Sequence, residues 1–178
     1  MLTLIIGGVR SGKSTLAEKL AIQSHKNPIY YIATSVNTDG EMNERILKHQ
    51  IARKAAPKQW IVFENPTRPS TINLPLDATV LLDCVTTWAT NEWMERVEKE
   101  TIDELINRMV AEVEGMMQCA ANLILVSNDL FSDAIEYGPA IKDYLRLIGT
   151  IHQKLVKKAD RVVKMEFGCT QVKKGRIL

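Results

Sequence analysis

The stretch Leu2-Thr3-Leu4-Ile5-Ile6-Gly7-Gly8-Val9-Arg10-Ser11-Gly12-Lys13-Ser14-Thr15-Leu16 decides the fold. Its first five residues, apolar except for Thr3, have the near-continuous hydrophobicity of a strand buried on both faces. They lead into Gly7–Ser14, which satisfies G-x-x-x-x-G-K-[ST], and a helical stretch follows. The glycines let the backbone turn tightly, so that successive N–H groups point at phosphate oxygens. A helix starting near Lys13 adds the positive end of its dipole. In such a cradle Gly7, Gly8, Val9, Arg10, Ser11 and Gly12 wrap the phosphates, and Lys13 reaches the β- and γ-phosphates. The Ser14 hydroxyl ligates Mg²⁺. A chance match of this string in a chain of this length has a probability on the order of 1%.

Working outward, apolar runs alternate with longer amphipathic stretches. That pattern predicts an α/β protein, P-loop NTPase-like, with a mostly parallel central sheet flanked by helices and a single domain over 1–178. Strands are expected at Leu2–Ile6, Ile29–Thr34, Trp60–Phe63, Thr79–Leu82, Leu123–Ser127 and Arg161–Met165. Helices are expected at Lys13–Ser24, Glu41–Lys54, Glu92–Cys119 (with a break near Lys99) and Ala140–Lys158. Asn65–Asp77, rich in Pro, Thr and Ser, reads as an irregular surface connection.

The length of 178 residues suits one core rather than two, and 46% apolar with 25% charged residues is a globular balance. A net charge of +2 with both signs interspersed argues against nucleic acid as a partner. The basic C-terminal stretch (Lys154, Lys157, Lys158, Arg161, Lys164, Lys173, Lys174, Arg176) reads as a solvated helix face and tail. Cys84, Cys119 and Cys169 form neither a disulfide framework nor a metal pattern and fit a reducing compartment, so a cytoplasmic location is expected. No apolar run has the length of a membrane span.

A P-loop needs a second carboxylate for its metal at the end of a neighbouring strand. Ala78-Thr79-Val80-Leu81-Leu82-Asp83 supplies one, and Asp83 either holds Mg²⁺ through water or acts as a base toward an acceptor hydroxyl. Glu41, Arg45, His49 and Arg53 recur every four residues, so a helix places them along one stripe, with Met42, Ile46, Leu47 and Ile51 as its apolar face. Flanking guanidiniums favour neutral imidazole, the nucleophilic form, and attract phosphate. Taken alone, such a histidine is more often a solvated surface residue. His25 and His152 have no comparable setting, and His152 reads as structural. Trp88, Trp93, Met116 and Met117 read as packing or interface residues, and the Tyr30–Tyr31 pair as straddling a buried strand.

These segments together resemble the adenosylcobinamide kinase/adenosylcobinamide-phosphate guanylyltransferase family of cobalamin biosynthesis. The resemblance is carried by Gly7–Ser14, Tyr31-Ile32-Ala33-Thr34-Ser35 and Glu41-Met42-x-x-Arg45-Ile46-x-x-His49-x-x-x-Arg53. Trp60 with Glu64, Leu81-Leu82-Asp83-Cys84-Val85-Thr86-Thr87-Trp88 with Asn91, and Leu125-Val126-Ser127-Asn128-Asp129 follow in order. It implies a bifunctional enzyme. In the first step, the hydroxyl of the aminopropanol arm of adenosylcobinamide takes the γ-phosphoryl of GTP or ATP. In the second, a histidine matching His49 attacks the α-phosphorus of GTP, and the bound GMP passes to the corrinoid phosphate. The match further implies that Thr34, Ser35, Val36, Gln50, Ile51, Ala52, Arg53 and Glu64 lie around the guanine nucleotide, and that the enzyme is a homotrimer.

This chain departs from the family pattern on the acceptor side. A Gly-x-Gly-x-x-Pro loop is replaced by Leu130-Phe131-Ser132-Asp133-Ala134-Ile135-Glu136, an expected Arg by Leu145 next to Arg146, and an expected Asn by His152. Phe and Asp do not take glycine's left-handed conformations cheaply, so this loop must differ in shape. Two other readings follow from it: a P-loop phosphotransferase of the same fold acting on a different acceptor, and a nucleotide-binding protein without catalysis.

Overall fold

A computed structural model describes residues 1–26, 28–35, 47, 50, 51, 53–96, 99–131 and 138–176. Seven strands form one sheet: β1 (Leu2–Gly7), β2 (Ile29–Ala33), β3 (Trp60–Glu64), β4 (Ala78–Asp83), β5 (Ala120–Asn128), β6 (Arg161–Glu166) and β7 (Cys169–Lys174). Their order is β3-β2-β4-β5-β1-β6-β7, and every pairing is parallel except the β6–β7 hairpin. The helices are α1 (Lys13–Gln23), α2 (Val85–Arg96), α3 (Ile102–Cys119) and α4 (Pro139–Lys158). Residues 47, 50, 51, 53 and 54 are also helical, and the rest of the helix expected at Glu41–Lys54 lies outside the described residues.

Helices cover both faces, which is why strands β1, β4 and β5 are apolar on both sides. On one face Trp88 of α2, Met109 and Val113 of α3, and Leu147, Ile151 and Leu155 of α4 pack on Leu2, Leu4, Val80, Leu82 and Leu123. On the other, Ala17 and Ala21 of α1 lie close over Ile5, Leu81, Ile124 and Val163. Small residues on α1 let it approach the sheet closely at the point where the phosphate loop enters it.

The expected fold class holds, with two corrections. The helix expected at Glu92–Cys119 is broken as expected, into α2 and α3, but its first part starts elsewhere. The break near Lys99 is present, and α3 starts at a capping box in which Thr101 Oγ1 accepts from Glu104 N while Glu104 accepts from Thr101 N. α2 begins seven residues earlier than Glu92, because Val85, Trp88 and Ala89 bury an apolar face that the β-branched Thr86 and Thr87 disguise. The C-terminal stretch is not a helix face and tail throughout. Arg161 and Lys164 lie in β6 and Lys173 and Lys174 in β7, where Lys174 Nζ donates to the Val156 and Lys157 carbonyls at 3.1 Å. Among the described residues no helix is long and apolar enough to cross a membrane.

Candidate functional site

The parallel strands β1, β4 and β5 all end on one edge of the sheet, and their carboxyl ends bring the site residues together. β1 delivers Gly7, and only glycine fits there. A Cβ would lie 2.5 Å from the Met165 carbonyl oxygen and 2.5 Å from Ser11 Oγ. The chain then turns through left-handed Arg10 (φ 59°) and Gly12 (φ 91°), with Ser11 N donating to the Gly8 carbonyl at 3.3 Å. No side chain caps α1 at Gly12, so the first amides of the helix remain for an anion. Lys13 and Ser14 are buried, and Lys13 Nζ donates to the Gly8 carbonyl at 3.0 Å. Ser11 Oγ is buried without a hydrogen-bond partner among the described residues. A buried hydroxyl without a partner is costly, and a phosphate oxygen in the loop would satisfy it.

Asp83 stands at the end of β4, separated from the phosphate loop by β5. The Tyr31 hydroxyl donates to its Oδ2 at 3.3 Å. Burial, and then the charge of Asp83, push the Tyr31 hydroxyl far above the ordinary phenol range, so it stays a donor at any working pH. Thr34 is fully buried, and its hydroxyl is committed to backbone. It donates to the Cys84 carbonyl and accepts from Cys84 N, both at 2.8 Å. Asn91 Nδ2 ties the Thr34 carbonyl to that of Pro66. Thr34 therefore clamps the ends of β2 and β4, which sets Asp83, and half-buried Ser35 follows it.

Arg53 is 9% exposed, and its guanidinium group is held by Glu18, Tyr31 and Trp60. Its Nε donates to Glu18 Oε1 on α1 at 3.1 Å, its guanidinium carbon lies 3.7 Å from the centroid of the Tyr31 ring, and the Trp60 ring is at 5.9 Å. The helical residues around Arg53 are thereby held against the phosphate-loop helix. A cleft of about 550 Å³ opens beside them, lined by Gln50, Arg53, Lys54, Trp60, Val62 and Glu64 among others. Gln50, Arg53 and Glu64 of the expected nucleotide set thus share one cleft, and Ile51 is exposed at 60%. His49, Val36 and Ala52 lie outside the described residues.

Just past the end of β5, Asp129 N donates to the Gly7 carbonyl at 3.0 Å, and its carboxylate pairs with Lys164 at 3.2 Å. His152 is structural as expected. It is buried with Nε2 at 2.7 Å from Ser127 Oγ, which in turn bonds Thr86 Oγ1 at 2.8 Å. Arg146 does not face the site; its guanidinium pairs with Asp103 on α3 at 3.1 Å. Leu130 and Phe131 are described and Phe131 meets His152 edge-on, while residues 132–137 lie outside the described residues.

Sequence reasoning missed the role of Tyr31, read only as one of a pair straddling a buried strand. Its partner Asp83 is 52 positions away, and only the β2–β4 register (Ala33 opposite Asp83) brings the two together.

A phosphate cradle at the end of β1, with an aspartate two strands away at the end of β4, defines the P-loop NTPase class. Within that class the chain belongs to the cobinamide kinase / cobinamide phosphate guanyltransferase family, whose model matches residues 3–172. It is 34% identical, over the whole of both chains, to the bifunctional adenosylcobalamin biosynthesis protein CobP of Pseudomonas aeruginosa. It is 29% identical to the bifunctional protein CobU of Salmonella typhimurium, over 91% of this chain and 93% of that one. Two solved structures share the fold alone. The ATPase domain of G40P has 12% identity, a TM-score of 0.51, and coverage of 92% of this chain and 68% of that one. An ATPase of a type III secretion system has 13% identity, a TM-score of 0.56, and coverage of 96% and 56%.

Proposed function

We propose that the chain phosphorylates adenosylcobinamide and then transfers GMP from GTP to the product through a GMP bound to His49. The observation that carries this reading is the family match over residues 3–172 on a chain whose P-loop, strand-end Asp83 and Arg53 are assembled at one sheet edge.

In the kinase step the acceptor hydroxyl attacks the γ-phosphorus of GTP or ATP, the bond to the β-phosphate oxygen breaks, and the nucleoside diphosphate leaves. The loop amides, Lys13 and the Ser11 hydroxyl bind the phosphates, and Asp83 takes the hydroxyl proton or holds the cation. Mg²⁺, when bound, would neutralise charge on the β- and γ-oxygens. Ser14 and Asp83 would hold it, and they fit. Mg²⁺ is usually bound by one or two protein groups with phosphate oxygens and water rather than by an all-protein cage. Among the described residues no group of three or more His, Cys, Asp or Glu builds such a cage. Tyr31 donates to Asp83 Oδ2 and so orients the carboxylate that would hold the cation.

In the second step a neutral His49 nitrogen attacks the α-phosphorus of GTP, and pyrophosphate departs into the phosphate loop. An oxygen of the corrinoid phosphate then attacks the same phosphorus and frees the imidazole. Thr34, Ser35, Val36, Gln50, Ile51, Ala52, Arg53 and Glu64 surround this nucleotide, with the cleft at Trp60 and Glu64 as the place for the base. The enzyme works in the cytoplasm as a homo-oligomer, a trimer by resemblance.

Intact-mass measurement after incubation with GTP tests the reading. Wild type gains one guanylyl group and His49→Ala gains none. Equal labelling of both would overturn the covalent step. A second reading, the same kinase chemistry on another acceptor, is favoured by one observation. Arg146 is engaged by Asp103 and Leu145 carries no charge, so the guanidinium expected on the acceptor side is not supplied there. Phosphorylation of adenosylcobinamide in vitro separates the two.

A further inference from the structure

The β6–β7 turn is built from an unfavourable residue. Glu166 pairs with Cys169, so Phe167 and Gly168 form a two-residue hairpin loop, and both have positive φ (51° and 78°). Asn-Gly or Asp-Gly suits such a turn, whereas a bulky residue in the left-handed region is strained. The Phe167 ring is also fully exposed to solvent. Neither local conformation nor burial accounts for an aromatic side chain here.

The turn sits against the phosphate loop. A Cβ on Gly12 would lie 3.5 Å from Met165 Cε and 4.0 Å from Gly168 Cα, and Met165 also packs on Gly7. In the strand order β4-β5-β1-β6-β7, the turn and Asp83 lie on opposite sides of the loop. With strands about 4.8 Å apart, Asp83 is displaced by about 10 Å to one side and the turn, between β6 and β7, by about 7 Å to the other. A nucleotide whose terminal phosphoryl faces Asp83 therefore carries its sugar and base toward the β6–β7 turn. The cleft at Trp60 and Glu64 lies in the opposite direction, beyond β4.

We propose that Phe167 is a stacking platform for the purine base of the nucleotide used in the kinase step, so that the phosphate donor and the guanylyl donor lie in opposite directions from one phosphate loop. Strain and exposure at Phe167 are then the cost of presenting a π-face beside the cradle. The inference rests on the function proposed above, and its test separates the two.

Calorimetry on the full chain with a non-hydrolysable ATP analogue and with tripolyphosphate measures the contribution of the base. Phe167→Asn keeps the turn, since asparagine accepts left-handed backbone, and should raise thermal stability. It should weaken the ATP analogue about tenfold and leave tripolyphosphate unchanged. Phe167→Trp should restore the affinity, and its fluorescence should respond to the ATP analogue but not to tripolyphosphate. Labelling of His49 by GTP should persist in Phe167→Asn. The platform is refuted if Phe167→Asn binds the ATP analogue as wild type does, or if both ligands weaken equally. Opposed poses are refuted if His49 labelling falls as far as affinity for the ATP analogue. A wild-type chain that binds neither ligand would overturn the P-loop reading itself, and the platform with it.

Discussion

Arg53 Nε lies 3.1 Å from Glu18 Oε1, and the two side chains are only 8% and 14% exposed. This pair ties the helical residues around Arg53 to the helix that begins in the phosphate cradle. Because the Arg53 guanidinium also lies on the Tyr31 ring, and Tyr31 holds Asp83, the contacts run unbroken from α1 to the carboxylate at the end of β4.

Breaking that pair from one side takes a charged partner away from a nearly buried carboxylate. Arg53→Ala should therefore destabilise the fold by about 3 kcal/mol, whereas Arg53→Met with Glu18→Leu should recover much of the loss. Urea unfolding of the three proteins checks this. Both variants should lose His49 labelling by GTP, since neither retains the guanidinium.

Tyr31→Phe keeps the ring under Arg53 and removes only the hydroxyl that orients Asp83. We expect a stability loss of about 1 kcal/mol, the net value of one hydrogen bond. The kinase kcat should fall severalfold with a higher Mg²⁺ concentration for half-maximal rate, and GTP labelling of His49 should be little changed. Steady-state kinetics against Mg²⁺ concentration reads the difference; equal kinetics would show that Asp83 is positioned without Tyr31.

Lys13→Ala removes the cation of the cradle. Phosphoryl transfer should fall by about a hundredfold or more. Thermal stability should change far less than the rate, because the bond from Lys13 Nζ to the Gly8 carbonyl braces a loop rather than a helix or strand. Parallel kinase assays and thermal melts check both halves.

His152 gives a pH dependence of defined sign. Burial pushes its pKa down to about 4, below the ordinary value of 6.5. The unfolded chain thus binds the extra proton first, and this stabilisation is complete above pH about 6.5 and is lost as pH falls toward 4. Its size is about 3 kcal/mol, from the gap between the two pKa values. His152→Gln retains a partner for Ser127 without the titration, so its stability should fall less between pH 7.5 and 4.5. Urea midpoints at the two pH values measure the difference.

Much of the architecture was legible locally. β1, β2, β3, β4 and β6 lie within a residue or so of their expected limits, because each is a short apolar run bounded by turn residues. β7 was illegible because Cys169–Lys174 is exposed along its length and buries no apolar face that would leave a period of two. The start of α2 was hidden by Thr86 and Thr87, which turn out to be held by tertiary contacts: Thr86 Oγ1 bonds Ser127 and Asn128 N, and Thr87 bonds Cys84.

The amino-acid sequence by itself determined the phosphate cradle and the strand-end aspartate, each written in contiguous residues, and the family, carried by several short segments in a fixed order. Tertiary structure alone decided that Tyr31 reaches Asp83, that Arg53 locks onto Glu18, and that the β6–β7 turn abuts Gly12. All three depend on sheet order and register, which are set by the joint burial of helices on both faces of the sheet and by no local propensity.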